Sequence, residues 1–234
     1  MSRIFIRGDT HGRLQDLTCF RDTTKYTASD YVIICGDFGF VFDSNEYEEE
    51  KFEKRSLDII SRCECTFIIV GGNHENYNAI ECLYPIQTFK GARARYIRSN
   101  VIWIERGEVF TIDDKKFWCF GGAYSIDKSW RTPNVSWWEH EEPNDFEMEY
   151  GLRTLEKSIP DYIITHECPA SINMKLYPNS YFLNKNQTIQ YMERVLWKCE
   201  ALGIMPIWYF GHHHREWDFE NFHCRYDSLE EINI

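Results

Sequence analysis

Six short apolar runs rich in β-branched and aromatic residues punctuate the chain. They are RIFIRG near the start, YVIICGD at Tyr31 to Asp37, TFIIVGGN at Thr66 to Asn73, then KFWCFGG, DYIITHE and PIWYFGH. Runs this brief suit buried strands better than helices, and all except the first clearly end in a glycine or polar residue that releases the chain into a loop. Helical stretches separate the early runs. In NEYEEEKFEKRSLDIISRC, from Asn45 to Cys63, Phe52, Leu57 and Ile60 fall at helical spacings. Strand, helix, strand predicts an α/β chain with a buried mixed or parallel sheet. The middle differs: Trp103 to Phe120 reads as antiparallel strands around a turn at Asp113 and Asp114, and Gly121 to Pro143 as an irregular, aromatic loop serving as a lid, a binding loop or packed surface. Helical patterns return over Asp145 to Lys157 and from about Asn186 to Leu202. No repeat or linker divides the 234 residues, so a single domain over 1–234 is expected.

Charge narrows the partners. The formal net charge is −11, which removes any broad attraction to nucleic-acid phosphates. Nine cysteines, an odd and scattered set without a CxxC pair, read as reduced and mostly buried thiols. MSRIFIRGDT runs into a strand without the basic and apolar regions of a secretory signal, and no apolar segment approaches the roughly 20 residues of a membrane span. A soluble cytoplasmic protein without a membrane partner is expected.

The ends of the apolar runs carry the chemistry. GDTHG supplies Asp9 and His11, GDFG supplies Asp37, GGNHE supplies Asn73 and His74, IITHE supplies His166, and FGHHHREW supplies His212 and His214. Each alone is an ordinary turn or cap, but together they place five of the eight histidines where open α/β sheets bind ligands. On an extended chain the first and third residues share a side, so His212 and His214 can converge and His213 cannot. His140, His213 and His223 lie outside the pattern. Two divalent cations about 3.5–4 Å apart repel one another and need a shared anionic ligand, which a carboxylate such as Asp37 can be with its two oxygens. Neutral imidazoles and the Asn73 carboxamide complete the shells without adding charge, leaving room for an anionic substrate.

In order and in kind, Asp9-x-His11, Gly36-Asp37, Gly72-Asn73-His74, His166 and Gly211-His212-x-His214 resemble the five motifs of the calcineurin-like metallophosphoesterase superfamily. The resemblance implies a two-sheet β-sandwich flanked by helices, in four αββα layers. It implies one metal held by Asp9, His11, Asp37 and His214, and a second held by Asp37, Asn73, His166 and His212. It implies, for His74, contact with the phosphoryl group or protonation of the leaving oxygen. Two divalent ions are expected, manganese or iron first and zinc or nickel as alternatives; a mononuclear zinc site fits poorly with so many oxygen ligands. The implied reaction is phosphoester hydrolysis by attack of a metal-bridging hydroxide.

The family spans phosphatases, phosphodiesterases and nucleases, so substrate must come from the site itself. GNHE resembles the protein-phosphatase form of the third motif, but those enzymes continue their second motif as GDxxDRG, and Phe40 and Val41 stand at the Asp-Arg positions here. Another group must clamp phosphate: Arg13, Lys128 and Arg131 are candidates, with Tyr124, Trp137 and Trp138 as stacking surfaces for a base or sugar. Glu75 reads as a helix-start carboxylate. The expected substrate is a small phosphomonoester or a nucleotide-like phosphodiester. A protein Ser/Thr phosphatase and a catalytically silent metal-binding regulatory module are the alternatives.

Overall fold

The six apolar runs become the central strands of two sheets. The computed structural model describes residues 2–18, 26–42, 47–178 and 186–232. In chain order the first half contains β1 (Ile4–Arg7), α1 (Gln15–Thr18), β2 (Tyr31–Cys35), α2 (Tyr47–Ile60), β3 (Thr66–Val70), α3 (Tyr77–Leu83), β4 (Ile86–Phe89), β5 (Ala92–Arg98) and β6 (Val101–Ile104). There follow β7 (Glu108–Ile112), β8 (Lys115–Phe120), α4 (Asp145–Ser158), β9 (Tyr162–Thr165), α5 (Ala170–Leu176), α6 (Gln187–Leu202), β10 (Ile207–Phe210), β11 (Trp217–Phe219), β12 (Phe222–Cys224) and β13 (Glu230–Ile232).

One sheet has the order β13-β1-β2-β3-β6-β5-β4 and the other β11-β12-β10-β9-β8-β7. Strands β1, β2 and β3 are parallel neighbours, as are β8, β9 and β10. Alternation along each strand divides the apolar residues between two faces. Ile4, Ile6, Ile33 and Ile68 meet Phe110, Phe117, Tyr162 and Ile164 between the sheets. The opposite faces are covered by helices: Phe5, Val32, Ile34 and Phe67 pack with Leu57, Ile60 and Ile80, while Trp118, Ile163 and Phe210 pack with Leu155, Met192 and Val195. Strands buried on both faces read as unbroken apolar runs, which explains the sequence signal. The layers are helix, sheet, sheet, helix, as the resemblance implies.

The β7–β8 hairpin turns at Asp113 and Asp114, both with positive φ (45° and 67°), the backbone that a two-residue turn requires. Trp103 belongs to β6 in the other sheet, so the antiparallel stretch is shorter than expected. Of the three apolar residues at helical spacings in α2, Leu57 and Ile60 are buried and Phe52 is 58% exposed. The β4–β5 hairpin and β11 to β13 had no sequence signal.

The sheets touch where β3 and β8 end. Gly122 N donates to Gly71 O at 2.8 Å, and a Cβ added to Gly121 would lie 2.7 Å from the Gly71 backbone. The C-terminal ends of both parallel sets therefore open on one shared edge.

Candidate metal centre

Four of the seven residues with metal-ligand chemistry sit in left-handed backbone: His11 (φ 45°), Asp37 (φ 50°), His212 (φ 68°) and His214 (φ 49°). Such conformations cost of order 1–3 kcal/mol each in side-chain-bearing residues and persist where surrounding structure over-determines them. That structure is a set of loop-to-loop bonds. His11 N donates to Asp37 O at 2.8 Å and Gly12 N to Phe38 O at 2.9 Å, joining the first two motifs. His212 N donates to Asp9 Oδ1 at 3.0 Å, joining the first to the last, and His74 N donates to Asp37 Oδ1 at 2.8 Å, joining the second to the third. Gly36 (φ +89°) admits no side chain, because a Cβ there would lie 2.0 Å from His166 Nδ1.

The side chains converge in two sets around Asp37. Ligand atoms of Asp9, His11, Asp37 and His214 all lie within 4.8 Å of one another. His11 Nε2 is 2.9 Å from His214 Nε2 and 3.6 Å from Asp37 Oδ2. On the other side, His166 Nε2 is 3.2 Å from Asp37 Oδ1 and 3.2 Å from Asn73 Oδ1. His212 stands edge-on to His166, ring centroids 5.0 Å apart. His166 Nδ1 donates to Cys35 O at 2.7 Å, which fixes the ring and aims Nε2 at the centre, the outer hydrogen bond expected of a ligating imidazole.

Asp9 and Asp37 are buried, as are Asn73 and His166. Burial pushes the Asp9 carboxyl up to about 7, and the neighbouring Asp37 charge adds to this against His166. Burial opposes ionisation of Asp37 too, but the charge and hydrogen bond of His166 hold its carboxyl well below the usual range. Although burial disfavours it, a proton is drawn on to His166, raising its pKa to about 10, because two buried carboxylates face it. His11 and His212 are lowered to about 4 and about 3, mainly by burial, and are therefore neutral, the form that binds metal. Two buried carboxylates whose charge draws a proton on to His166, together with convergent imidazole and carboxamide lone pairs, fit divalent cations that would take that proton's place.

Beside the carboxylates lies a cavity of about 370 Å³ whose lining includes Asn73, His74, Tyr124, Arg131, Tyr177 and His212. Arg131 reaches it with Nη2 2.7 Å from His74 Nε2, while its Nε is held 2.9 Å from Asp127 Oδ1. The other clamp candidates turn elsewhere. Lys128 Nζ lies 4.0 Å over the Trp137 ring and near Glu142, and Arg13 bonds Asp9 O, Asp227 Oδ1 and the Tyr226 face; neither lines the cavity. Trp137 and Trp138 do not line it either: Trp138 is buried edge-on against Phe42, and Trp137 is taken by Lys128. Phe40 and Val41 are core residues.

His213 turns away from the centre as expected, although the loop reaches this through left-handed residues at His212 and His214 instead of an extended chain. Three contributors lacked a clear sequence signal. Glu75 accepts from Gly39 N at 3.2 Å and Gly72 N at 2.6 Å, tying the second and third motifs together, while Asn76 caps α3 in its place. Burial, with Asp37 nearby, pushes the Glu75 carboxyl up to about 8. Ser125 Oγ accepts from Asn73 Nδ2 at 3.1 Å and thereby orients the carboxamide oxygen inward. Phe42 stacks on the His74 ring at 5.9 Å.

The family model described as calcineurin-like phosphoesterase matches residues 2–216, and the chain belongs to this family of metal-dependent phosphoesterases. Neither the curated proteins nor the solved structures contain a match to it. Among the described residues, no helix is long and apolar enough to cross a membrane.

Proposed function

We propose that the chain hydrolyses a small phosphomonoester or nucleotide-like phosphodiester at a dinuclear centre. Asp9, His11, Asp37 and His214 hold one ion, and Asp37, Asn73, His166 and His212 hold the other. The observation that carries the reading is Asp37, whose Oδ2 faces His11 and Oδ1 faces His166. Bound divalent ions would supply an acidified water and charge compensation for the phosphoryl oxygens. The predominance of oxygen and imidazole donors favours manganese or iron.

The chain's own groups do the rest. Arg131 is the phosphate clamp in place of the missing DRG arginine, its guanidinium held beside the centre by Asp127. In the resting site its N–H donates to His74 Nε2, so His74 carries its proton on Nδ1. His74 is held neutral mainly by burial, against the pull of Asp37 and with the Arg131 charge adding. A phosphoryl oxygen that takes over the Arg131 hydrogen bond frees Nε2, and its negative charge favours uptake of a proton from solvent on that nitrogen. The imidazolium then passes this proton to the leaving oxygen as general acid. Tyr124 borders the cavity as the candidate face for a base or sugar, whereas the Tyr177 ring is covered by Arg215. The buried positions of Phe40 and Val41 count against a protein phosphatase, since nothing there reaches phosphate. The scattered cysteines, without a CxxC pair, support a cytoplasmic location.

Asp37→Asn tests the bridge. Metal content and turnover should fall together in this variant; unchanged metal content with unchanged turnover removes the bridging role.

A further inference from the structure

The cluster left over from the site is built around the histidine that does not face it. His213 Nε2 is 3.2 Å from Glu167 Oε1 and 3.4 Å from Cys168 Sγ. All three groups are inside the protein: Glu167 is 2% exposed and Cys168 0%, and the His213 side chain 7%. Their ligand atoms lie within 4.8 Å of one another.

We propose that Glu167, Cys168 and His213 form a separate site for a borderline-soft divalent cation, zinc above all, beside His212. Nitrogen and oxygen ligands about 2.0 Å from a tetrahedral zinc, with sulfur at about 2.3 Å, stand roughly 3.3 Å apart for N and O and roughly 3.6 Å apart for N and S. The two observed separations match those tetrahedral edges within a few tenths of an ångström. In a metal-free cluster the Glu167 carboxylate accepts from His213 and from the Cys168 thiol, and a cation would replace those two protons while keeping all three groups together. The carboxylate is itself oriented, as Cys168 N donates to Glu167 Oε1 at 2.9 Å.

Mixed thiolate, imidazole and carboxylate donors distinguish this site from the oxygen-rich pair beside it and select zinc over manganese. Glu167, His213, Asn173 and Tyr177 all border the cavity, so the fourth position opens on to it and takes water or an anionic group. The cation would tie the end of β9 to the strained loop after β10, whose His212 and His214 flank the His213 ligand. Glu167 Oε2 lies 3.8 Å from His212 Nε2, so the tie also braces that ring.

Cobalt titration of the metal-stripped chain tests this, because a cobalt–thiolate bond gives a near-ultraviolet charge-transfer band that oxygen and imidazole ligands do not. The expected result is a third equivalent of metal with that band, both lost in Cys168→Ser and His213→Gln while the first two equivalents remain. His213→Gln decides the matter if Cys168→Ser does not fold, and the band in the unaltered chain is read first. Absence of the band with no third equivalent overturns the proposal, as does a band that survives both substitutions. Neither outcome depends on whether a phosphoester is cleaved.

Discussion

His74 and Arg131 form the pair in which binding and proton transfer are most easily separated. His74→Ala should keep the metal content and lose about 10²–10⁴ in rate, most of all on esters with poor leaving groups, as judged by a leaving-group series. Equal losses across the series would remove the acid role. Arg131→Ala should raise KM more than it lowers kcat for a monoester, and should lift the His74 pKa by removing an adjacent positive charge. Steady-state kinetics with a histidine NMR titration check both; an unchanged KM would exclude Arg131 as the clamp. The candidate ligands could be picked out in sequence because they lie in the short loops after β1, β2, β3, β9 and β10, while their division between two ions came only from the ordered motifs. Arg131 could not be separated from Lys128 and Arg13, since which basic side chain reaches the cavity depends on the path of the long β8–α4 loop and on carboxylates such as Asp127 and Glu142 that compete for it.

Strands and helices were legible in proportion to burial. The six runs that became central strands are apolar on both faces, whereas β4 is almost wholly exposed and β11 to β13 have three residues each, too few for a pattern. Helix α4 carries a capping box in which Asn144 Oδ1 accepts from Glu147 N and Glu147 Oε2 accepts from Asn144 N. Asn144→Ala should cost about 1 kcal/mol of stability with little effect on turnover, because the cap lies outside the cavity lining. Gly121→Ala should do the reverse of leaving activity alone: its Cβ meets backbone at Gly71, two residues before Asn73, and must push the sheets apart where the site is assembled. Denaturant melts and metal content of the two variants should therefore diverge, with Asn144→Ala losing stability alone. Equal metal loss in both would contradict this division.

At the scale of the whole molecule, a titratable pair far from the centre, Arg3 and Asp30, ties the starts of β1 and β2 within one sheet. Burial opposes ionisation of Asp30, but hydrogen bonds from Arg3 and from Thr27 N outweigh it and hold the carboxyl below its usual range. A folded pKa below the unfolded one means that the contribution is present above the unfolded pKa, near pH 4, and is lost as pH falls through the folded pKa. The stability gap between the unaltered chain and Asp30→Asn should accordingly be open at pH 7 and close toward pH 3 in denaturant titrations; a pH-independent gap would reject the assignment. The four-layer architecture was accessible only through the ordered motifs, since a strand–helix alternation suits many α/β folds, and the sheet-to-sheet contact at Gly71 and Gly121 has no sequence signature. The most direct test of the central claim is hydrolysis of para-nitrophenyl phosphate and bis-para-nitrophenyl phosphate by metal-stripped protein as Mn²⁺ is restored, with Asp37→Asn in parallel. Turnover of at least one ester should appear with the metal and be lost in Asp37→Asn, whereas full metal binding with neither ester cleaved, or equal cleavage by Asp37→Asn, would contradict a dinuclear phosphoesterase.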